Sequence, residues 1–202
     1  MSTLCSGVVL AGGENTRFSG QRKAFFRVGG KRMLDHVMAA LDGVFDDILL
    51  VTNEPERYLD WDATIVTDVY PVRSSLTGIH AGLRFADTPF VFVLSCDMPF
   101  VRKEVIQELV HRIEPGDDVV IPETEKGLEP LCAAYSQRCI APFEAQLKRG
   151  EMQIGRAFAR LSVRRVPERE LHGSGGPIRS FVNVNTPEEL ASAREVADGG
   201  NP

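Results

Sequence analysis

The sequence predicts an α/β fold, a three-layer sandwich around a mainly parallel sheet. Short apolar, β-branched runs alternate along the chain with segments whose apolar residues recur at helical spacing. This alternation is typical of strand–helix–strand units, which build parallel sheets covered by helices on both faces. The chain has 202 residues, of which 43% are hydrophobic. We therefore expect a single domain over residues 1–202, with residues 198–202 frayed.

Composition and charge exclude several classes of protein. No apolar run reaches the ~18 residues of a membrane helix, and the N-terminus lacks the pattern of an export signal, so a cytoplasmic location is expected. The net charge of -5 argues against broad binding of nucleic acids or membrane surfaces. The four cysteines form no CxxC pair. They predict reduced, buried thiols, not a zinc site or disulfides.

The first predicted strand, Gly7–Leu10, runs into a loop with the sequence AGGENTRFSGQRK. The glycine pair Gly12-Gly13 lets the backbone turn sharply and approach a ligand, and successive amides in such a turn attract anions. Arg17 and Lys23 add two cations within the same loop. This combination favours binding of a triphosphate, whose charge needs several fixed donors. A tight turn with a solvated Arg and Lys is the alternative.

The spacing of this loop differs from two common phosphate-binding patterns. In the P-loop of many NTPases, Gly, Lys and Ser or Thr are adjacent, whereas here Gln21-Arg22 separates Gly20 from Lys23. The glycines also miss the GxGxxG spacing of dinucleotide-binding folds. The loop therefore indicates another kind of nucleotide site.

Two further strands end in polar side chains after a predicted first helix over residues 32–41. The strand Asp46–Asn53 ends in Asn53, and the strand Thr64–Asp68 ends in Asp68. Ligands bind at the carboxyl edge of an open parallel sheet, so both side chains are candidate nucleoside contacts. Alternatively, Asn53 caps the following turn and Asp68 caps the following helix. The loop Tyr70–Gly78 leads into that helix, which is expected to contain Ile79, Leu83 and Phe85.

The most apolar run, Pro89–Leu94, predicts a central strand buried on both faces. It is followed by Asp97, in the sequence Ser-Cys-Asp-Met-Pro. A carboxylate at the end of a buried strand is costly unless something compensates its charge, and Mg²⁺ is a suitable partner. The alternative is that Asp97 caps a helix over residues 101–113.

The second half of the chain predicts two strands, residues 118–122 and 129–135, followed by helical stretches at 140–147 and 154–161. The most basic part of the chain lies here. It could hold a phosphorylated ligand, but solvated helix faces are the favoured interpretation. Its cationic residues are Lys148, Arg149, Arg156, Arg160, Arg164, Arg165 and Arg169.

The C-terminal stretch FVNVNTPEEL predicts a short strand, Phe181–Val184, and then a helix that runs to about Val196. Thr186 is the expected N-cap of this helix, and Glu189 completes a capping box. Asn183 and Asn185 alternate with Val184, which places both on one face of an extended segment. Turn and cap asparagines are the alternative.

Three motifs together resemble one family: LAGG followed by Arg17 and Lys23, Cys-Asp-Met-Pro around Asp97, and FVNVNTPEEL. The chain resembles the molybdenum cofactor guanylyltransferases, or MobA family, of the Mg-dependent nucleotidyltransferases, from Val8 to Leu190. The resemblance implies a Rossmann-like, glycosyltransferase-A-like fold of the nucleotide-diphospho-sugar transferases. It also implies transfer of GMP from GTP to the terminal phosphate of molybdopterin, with release of pyrophosphate.

The resemblance also assigns roles to residues, with Mg²⁺ as the cofactor. Lys23 is expected at the α-phosphate and the transition state, Arg17 at the β- and γ-phosphates, and Asp97 at the metal. The implied nucleotide-binding residues are Leu10, Ala11, Gly12, Gly13, Lys23, Asn53, Asp68, Gly78 and Asp97, and the implied acceptor-binding residues are Asn183 and Asn185. The implied substrates are GTP and molybdopterin or its molybdenum form. The resemblance is also compatible with contacts to other proteins of molybdenum cofactor biosynthesis or to the receiving molybdoenzyme.

Two positions depart from the family pattern. Ser19 replaces a second glycine in the loop, and Ser74-Ser75 replaces the usual Gly-Pro before Leu76. The second departure concerns recognition of the base, which the spacing of residues does not identify. The alternatives on the same fold are a molybdopterin cytidylyltransferase, a sugar-phosphate nucleotidyltransferase, or a nucleotide-binding module without turnover.

Overall fold

The computed structural model describes residues 4–12, 18, 21–171 and 179–199. Within these ranges the strands are β1 (Cys5–Leu10), β2 (Arg27–Val28), β3 (Lys31–Arg32), β4 (Ile48–Val51), β5 (Thr64–Val66), β6 (Phe90–Ser95), β7 (Val119–Thr124), β8 (Gly127–Leu128), β9 (Cys132–Ser136) and β10 (Val163–Pro167). The main sheet has the order β10-β7-β9-β6-β1-β4-β5, with β8 beside β7, and β2 pairs with β3 in a separate hairpin. β9 runs antiparallel to its neighbours β6 and β7, whereas β5, β4, β1 and β6 are mutually parallel. The mainly parallel sheet is confirmed.

Helices cover both faces of this sheet. They are α1 (Met33–Leu41), α2 (Ser75–Phe85), α3 (Lys103–His111), α4 (Ile140–Lys148), α5 (Ile154–Ala157) and α6 (Pro187–Ala197). α1 and α3 pack on one face, and α2 and α4 pack on the other, so the three-layer sandwich is also confirmed. In the part of the chain that the structure describes, no helix has the length and apolar character to cross a membrane.

The central strands are buried on both faces. Successive side chains of a strand point to opposite faces, and in β1 the fully buried Val8 and Val9 enter different core clusters. All six residues of β6 are buried as well. This explains why these strands appear in the sequence as continuous apolar runs without polar alternation.

A third, smaller core holds the C-terminal segment against the hairpin. Val184 and Leu190 pack with Val28 of β2 and Met33 of α1. The backbone N–H of Glu189 donates to Thr186 Oγ1 at 3.2 Å, and the Glu189 carboxylate accepts from the Thr186 backbone N–H at 3.0 Å. The predicted capping box is therefore present, and it fixes where α6 begins.

Two segments differ from the sequence-based expectation. Residues 181–184 form no strand. Phe181 lies in a turn in which Val182 N–H donates to the Arg179 carbonyl at 3.0 Å, and the Val184 amide donates to the Asp97 carbonyl at 2.9 Å without a ladder following. β10 was not predicted, and it pairs in parallel with β7. β10 is only partly buried and carries polar side chains, so no apolar run in the sequence marks it as a strand.

The basic stretch is largely occupied by ion pairs. Arg164 contacts Asp117 at 2.6 Å and Arg165 contacts Glu123 at 3.1 Å, both across neighbouring strands or turns. Arg149 contacts Glu151 at 3.4 Å. These pairs favour the interpretation of this region as a solvated surface.

Gly82 lets α2 lie close to the centre of the sheet. A Cβ at Gly82 would lie 2.7 Å from Val8 Cγ1, and Val8 is fully buried. We expect Gly82→Ala to lower the free energy of unfolding by about 1–3 kcal/mol, because an added methyl group overpacks the core. Gly155→Ala in α5 is the matched control, since nothing lies within 4 Å of its added Cβ. Urea denaturation should give a clear difference between the variants, and equal stabilities would contradict this packing.

All four cysteines are free and buried. Burial raises the pKa of the Cys139 and Cys96 thiols to about 12, so both stay protonated near neutral pH. We expect Ellman's reagent at pH 8 to modify no thiol rapidly in the native protein and four thiols in guanidinium chloride, because the thiolate is the nucleophile. Rapid labelling of a native cysteine would show that the core opens at that position.

Candidate active site

A cavity of about 310 Å³ opens at the carboxyl edge of the main sheet. Its walls come from the ends of β1, β4, β5 and β6, the start of α2, and the segment that contains Lys23. Every predicted nucleotide-binding residue in the described ranges lines it: Leu10, Ala11, Gly12, Lys23, Asn53, Asp68, Gly78 and Asp97. Gly13 and Arg17 lie outside the described residues.

The parallel ladder brings these distant residues together. Its hydrogen bonds continue one step beyond the strands: Ala11 N–H donates to the Val51 carbonyl at 3.0 Å, and Cys96 N–H donates to the Leu10 carbonyl at 3.2 Å. The chain segments after β1, β4 and β6 therefore leave the sheet at one level. Polar groups that follow these strands face the same space, as expected for the carboxyl edge of a parallel sheet.

Lys23, Asp97 and Asn185 form the central polar cluster. The ammonium Nζ of Lys23 donates to Asp97 Oδ2 at 3.1 Å and to Asn185 Oδ1 at 2.6 Å. The side chains of Lys23 and Asp97 are only 20% and 13% exposed, so water screens their attraction less than at an open surface. The glycine-rich loop, the central strand and the C-terminal segment thus meet at one nitrogen atom.

The carboxylate of Asp97 has unused capacity to bind a cation. Its Oδ1 is buried and accepts no hydrogen bond from the described residues. The alternative that Asp97 caps the next helix is wrong, because α3 begins at Lys103 and its N-cap is Arg102. Among the described residues, no three His, Cys, Asp or Glu side chains cluster as a metal cage. One carboxylate and the amide oxygen of Asn185 would suit Mg²⁺, which usually takes its remaining ligands from water and substrate phosphates.

Asn53 and Asp68 face each other across the cavity wall. Asn53 Nδ2 donates to Asp68 Oδ2 at 2.7 Å, and the Asp68 backbone N–H donates to Asn53 Oδ1 at 3.2 Å. Burial raises the pKa of Asp68, while the Asn53 hydrogen bond and the positive charge of Arg73 oppose that shift. The capping alternatives are wrong here, since Glu54 and Ser74 are the N-cap residues of the next helical turns.

The start of α2 lies close to the end of β1. A Cβ at Gly78 would lie 3.1 Å from Leu10 Cδ2, so a glycine permits this close approach. Ser74 caps the helix by accepting from Thr77 N–H at 3.1 Å. Ser74-Ser75 also lines the cavity, so the serines that replace the family's Gly-Pro lie at the candidate site.

Sequence reasoning missed two contacts at the ends of the glycine-rich loop, at Arg22 and Ala11. Arg22 Nε donates to Glu54 Oε2 at 2.8 Å, and this hydrogen bond is the main reason that the pKa of Glu54 is lowered. The hydroxyl of buried Tyr58 donates to the Ala11 carbonyl at 3.0 Å. Both contacts join an end of the loop, Arg22 or Ala11, to the segment after β4. No local sequence pattern predicts these two contacts, because their partners are 32 and 47 residues apart in the chain.

The two predicted acceptor-binding asparagines differ in their contacts. Asn185 reaches Lys23, and its backbone N–H donates to the Glu189 carboxylate of the capping box. Asn183 is half-buried and makes no hydrogen bond to the cluster within the described residues. The capping box therefore positions Asn185, which the sequence pattern did not separate from Asn183.

Comparisons with known proteins agree with this geometry. Residues 7–168 match the MobA-like NTP transferase domain. A molybdenum cofactor guanylyltransferase from Desulfosudis oleivorans is 42% identical over 195 residues, which cover 96% of each chain. A probable molybdenum cofactor guanylyltransferase from Pelotomaculum thermopropionicum is 34% identical over 193 residues, 96% of this chain and 93% of the relative.

Solved structures show the same fold. The molybdopterin-guanine dinucleotide biosynthesis protein A of Archaeoglobus fulgidus superposes with a TM-score of 0.83 at 28% identity, over 96% of this chain and 99% of the other. The 4-diphosphocytidyl-2C-methyl-D-erythritol synthase of Anaerococcus prevotii superposes with a TM-score of 0.73 at 18% identity, over 96% of each chain, which supports the nucleotidyltransferase fold alone. The chain therefore belongs to the MobA-like NTP transferases, and within them to the molybdenum cofactor guanylyltransferases.

Proposed function

We propose that the protein transfers GMP from GTP to the terminal phosphate of molybdopterin or its molybdenum form, with release of pyrophosphate and with Mg²⁺ as cofactor. The convergence of Lys23 and Asp97 at 3.1 Å, in a cavity lined by the glycine-rich loop, is the observation that supports this reaction most directly. A cation and a metal-binding carboxylate at one phosphate site are what transfer between two polyanions needs.

The chemistry requires no general base. The second pKa of a phosphate monoester is near ~6, so the attacking oxygen is already largely deprotonated at neutral pH. No histidine lines the cavity in the described ranges, and the pKa of its one cysteine, Cys96, is raised to about 12 by burial. The side chains that line the cavity can neutralise the charge of the phosphates and hold the substrates in position. This reaction requires no more of the protein.

Lys23 is proposed to contact the α-phosphate and to stabilise the charge that develops as pyrophosphate leaves. Asp97 and Asn185 would hold Mg²⁺, which when bound supplies positive charge to phosphate oxygens. From the sequence, Arg17 is proposed to bind the β- and γ-phosphates, together with the amides of Gly12 and Gly13. The Ala11 amide already donates to the Val51 carbonyl.

Asp68 and Arg73 offer complementary partners for a guanine base. Asp68 uses Oδ2 for Asn53, which leaves Oδ1 to accept hydrogen bonds from N1–H and the 2-amino group of guanine. Arg73 lines the same cavity and is a donor suited to guanine O6. Adenine would present an amino group where guanine has O6, so this pair of side chains favours guanine.

The acceptor is proposed to approach from the side of the C-terminal segment, where Asn185 contacts Lys23 and Asn183 lies two residues before it in the chain. Asn185 is held by Glu189 and is therefore the better fixed of the two.

The direct test is pyrophosphate release from GTP, CTP, UTP and ATP, each with Mg²⁺ and purified molybdopterin. Release with GTP, together with formation of the guanine dinucleotide by mass spectrometry, is expected. Preference for CTP, or no release with any donor, would overturn the proposal.

Replacement of Asp97 by asparagine keeps the side-chain size and removes the charge that would hold Mg²⁺. We expect Asp97→Asn to lose about 100-fold or more in Mg²⁺-dependent kcat, because charge stabilisation by a metal contributes several kcal/mol. Thermal unfolding should show that the variant remains folded. Exposed Asp62, which lies outside this cavity, gives the control Asp62→Asn, whose activity should stay at the wild-type level. Undiminished turnover by Asp97→Asn would remove Asp97 from the mechanism.

Asp68→Asn tests the contact with the base. Inosine triphosphate lacks the 2-amino group and so cannot donate that hydrogen bond to the Asp68 carboxylate. The wild-type protein should therefore prefer GTP to ITP. We expect the variant to lose about 10- to 100-fold in kcat/KM for GTP and less for ITP, since hydrogen bonds to charged groups contribute about 1.5–3 kcal/mol. Equal losses with both donors would show that Asp68 does not read that edge of the base.

A further inference from the structure

We propose that the ammonium group of Lys23 occupies the position of the divalent cation, so that Lys23 and the metal compete for Asp97 and nucleotide binding relieves this competition. The inference rests on the proposed function, because it concerns the same site. Such competition would regulate metal binding: the protein should bind free divalent cations weakly and should bind them tightly only together with nucleotide.

The geometry of the two acceptors carries the inference. Asp97 Oδ2 and Asn185 Oδ1 both accept from one nitrogen, at 3.1 and 2.6 Å, so both oxygens already surround a single positive charge. The other carboxylate oxygen, Oδ1, is buried. Oδ1 and Oδ2 belong to one carboxylate, so a metal ion bound through either of them would lie close to the ammonium on Oδ2.

Two cations cannot share these oxygens at low cost. Mg²⁺ binds oxygen at about 2.0–2.1 Å, so a bound ion would lie within a few ångströms of the ammonium if Lys23 stayed in place. Both side chains are at least four-fifths buried, and repulsion between like charges is stronger where water is excluded. Metal binding to Asp97 therefore requires the Lys23 side chain to move.

The surroundings of Lys23 allow its side chain to move while the backbone stays fixed. The carbonyl of Lys23 accepts from Phe26 N–H at 3.0 Å, the adjacent Ala24 is buried, and Arg22 is held by Glu54. The four-carbon lysine stem can swing its charge within the cavity. A nucleotide phosphate offers the ammonium a new anionic partner, so the nucleotide should release the carboxylate to the metal. By linkage, the metal must raise nucleotide affinity by the same factor.

The test measures Mn²⁺ binding to the protein without nucleotide, by electron paramagnetic resonance of the free ion. Lys23→Met keeps much of the side-chain length and removes the charge. We expect Lys23→Met to bind Mn²⁺ about 10-fold or more tightly than wild type, because the competing charge-assisted hydrogen bonds are lost. Adding Asp97→Asn to this variant should abolish the gain. Lys23→Gln provides a second neutral variant in case Lys23→Met does not fold.

Arg73→Met is the matched control for simple electrostatics. Arg73 lines the same cavity, but no hydrogen bond or ion pair links it to Asp97. Its Mn²⁺ affinity should change less than about twofold. An equal gain in both variants would show long-range repulsion in place of competition and would overturn the proposal. Unchanged or weaker Mn²⁺ binding by both neutral Lys23 variants would overturn it as well.

A second measurement adds a non-hydrolysable GTP analogue. Wild type should show a large increase in Mn²⁺ affinity on adding the analogue, whereas Lys23→Met should show a smaller one. An equal increase in the two proteins would mean that the nucleotide acts without Lys23. None of these measurements needs turnover, so a failure of guanylyl transfer and a failure of this competition are separate results.

Discussion

The contact of one ammonium group with two oxygens joins the parts of the chain on which this site depends. Lys23 is 74 residues from Asp97 and 162 residues from Asn185, yet a single nitrogen bonds to both. Each partner comes from a different structural unit: the glycine-rich loop, the central strand and the segment before α6. The cluster is therefore assembled only when the sheet, the loop and the C-terminal helix have all docked.

The sheet makes this assembly possible because its parallel strands end at a common edge. The core on both faces supplies the rigidity, since β1 and β6 are buried throughout and are packed between α1 and α3 on one side and α2 and α4 on the other. Polar side chains accumulate where the strands end, because the interior does not tolerate them. The same physical constraint that builds the core thus places Asn53, Asp68 and Asp97 around one cavity.

The charges around the cavity are arranged so that a polyanion can be bound by a protein with a net charge of -5. Away from the cavity, many arginines are neutralised by neighbours, as Arg164 is by Asp117 and Glu114. At the cavity, Lys23 lies near Asp97 and Arg73 lies near Asp68. Local positive charge, not overall charge, suits the site to nucleotide phosphates.

Part of this protein could be predicted from the sequence alone. The apolar runs predicted the parallel sheet, the 3.6-residue periodicity predicted the helices, and the spacing Thr186 to Glu189 predicted the start of α6. These features follow from interactions between neighbours in the chain, which a linear pattern records. The candidate nucleotide-binding residues were also predicted, but from resemblance to a family and from their positions after strands.

Other features depend on contacts between distant parts of the chain. The sequence did not show that Asn185 rather than Asn183 bonds to Lys23, that Glu54 and Tyr58 contact the two ends of the loop, or that residues 181–184 form no strand. It also gave no sign of β10, because that partly exposed strand carries two arginines. In each case the deciding partner lies tens of residues away, so only the folded chain, which fixes their distance, could decide which groups meet.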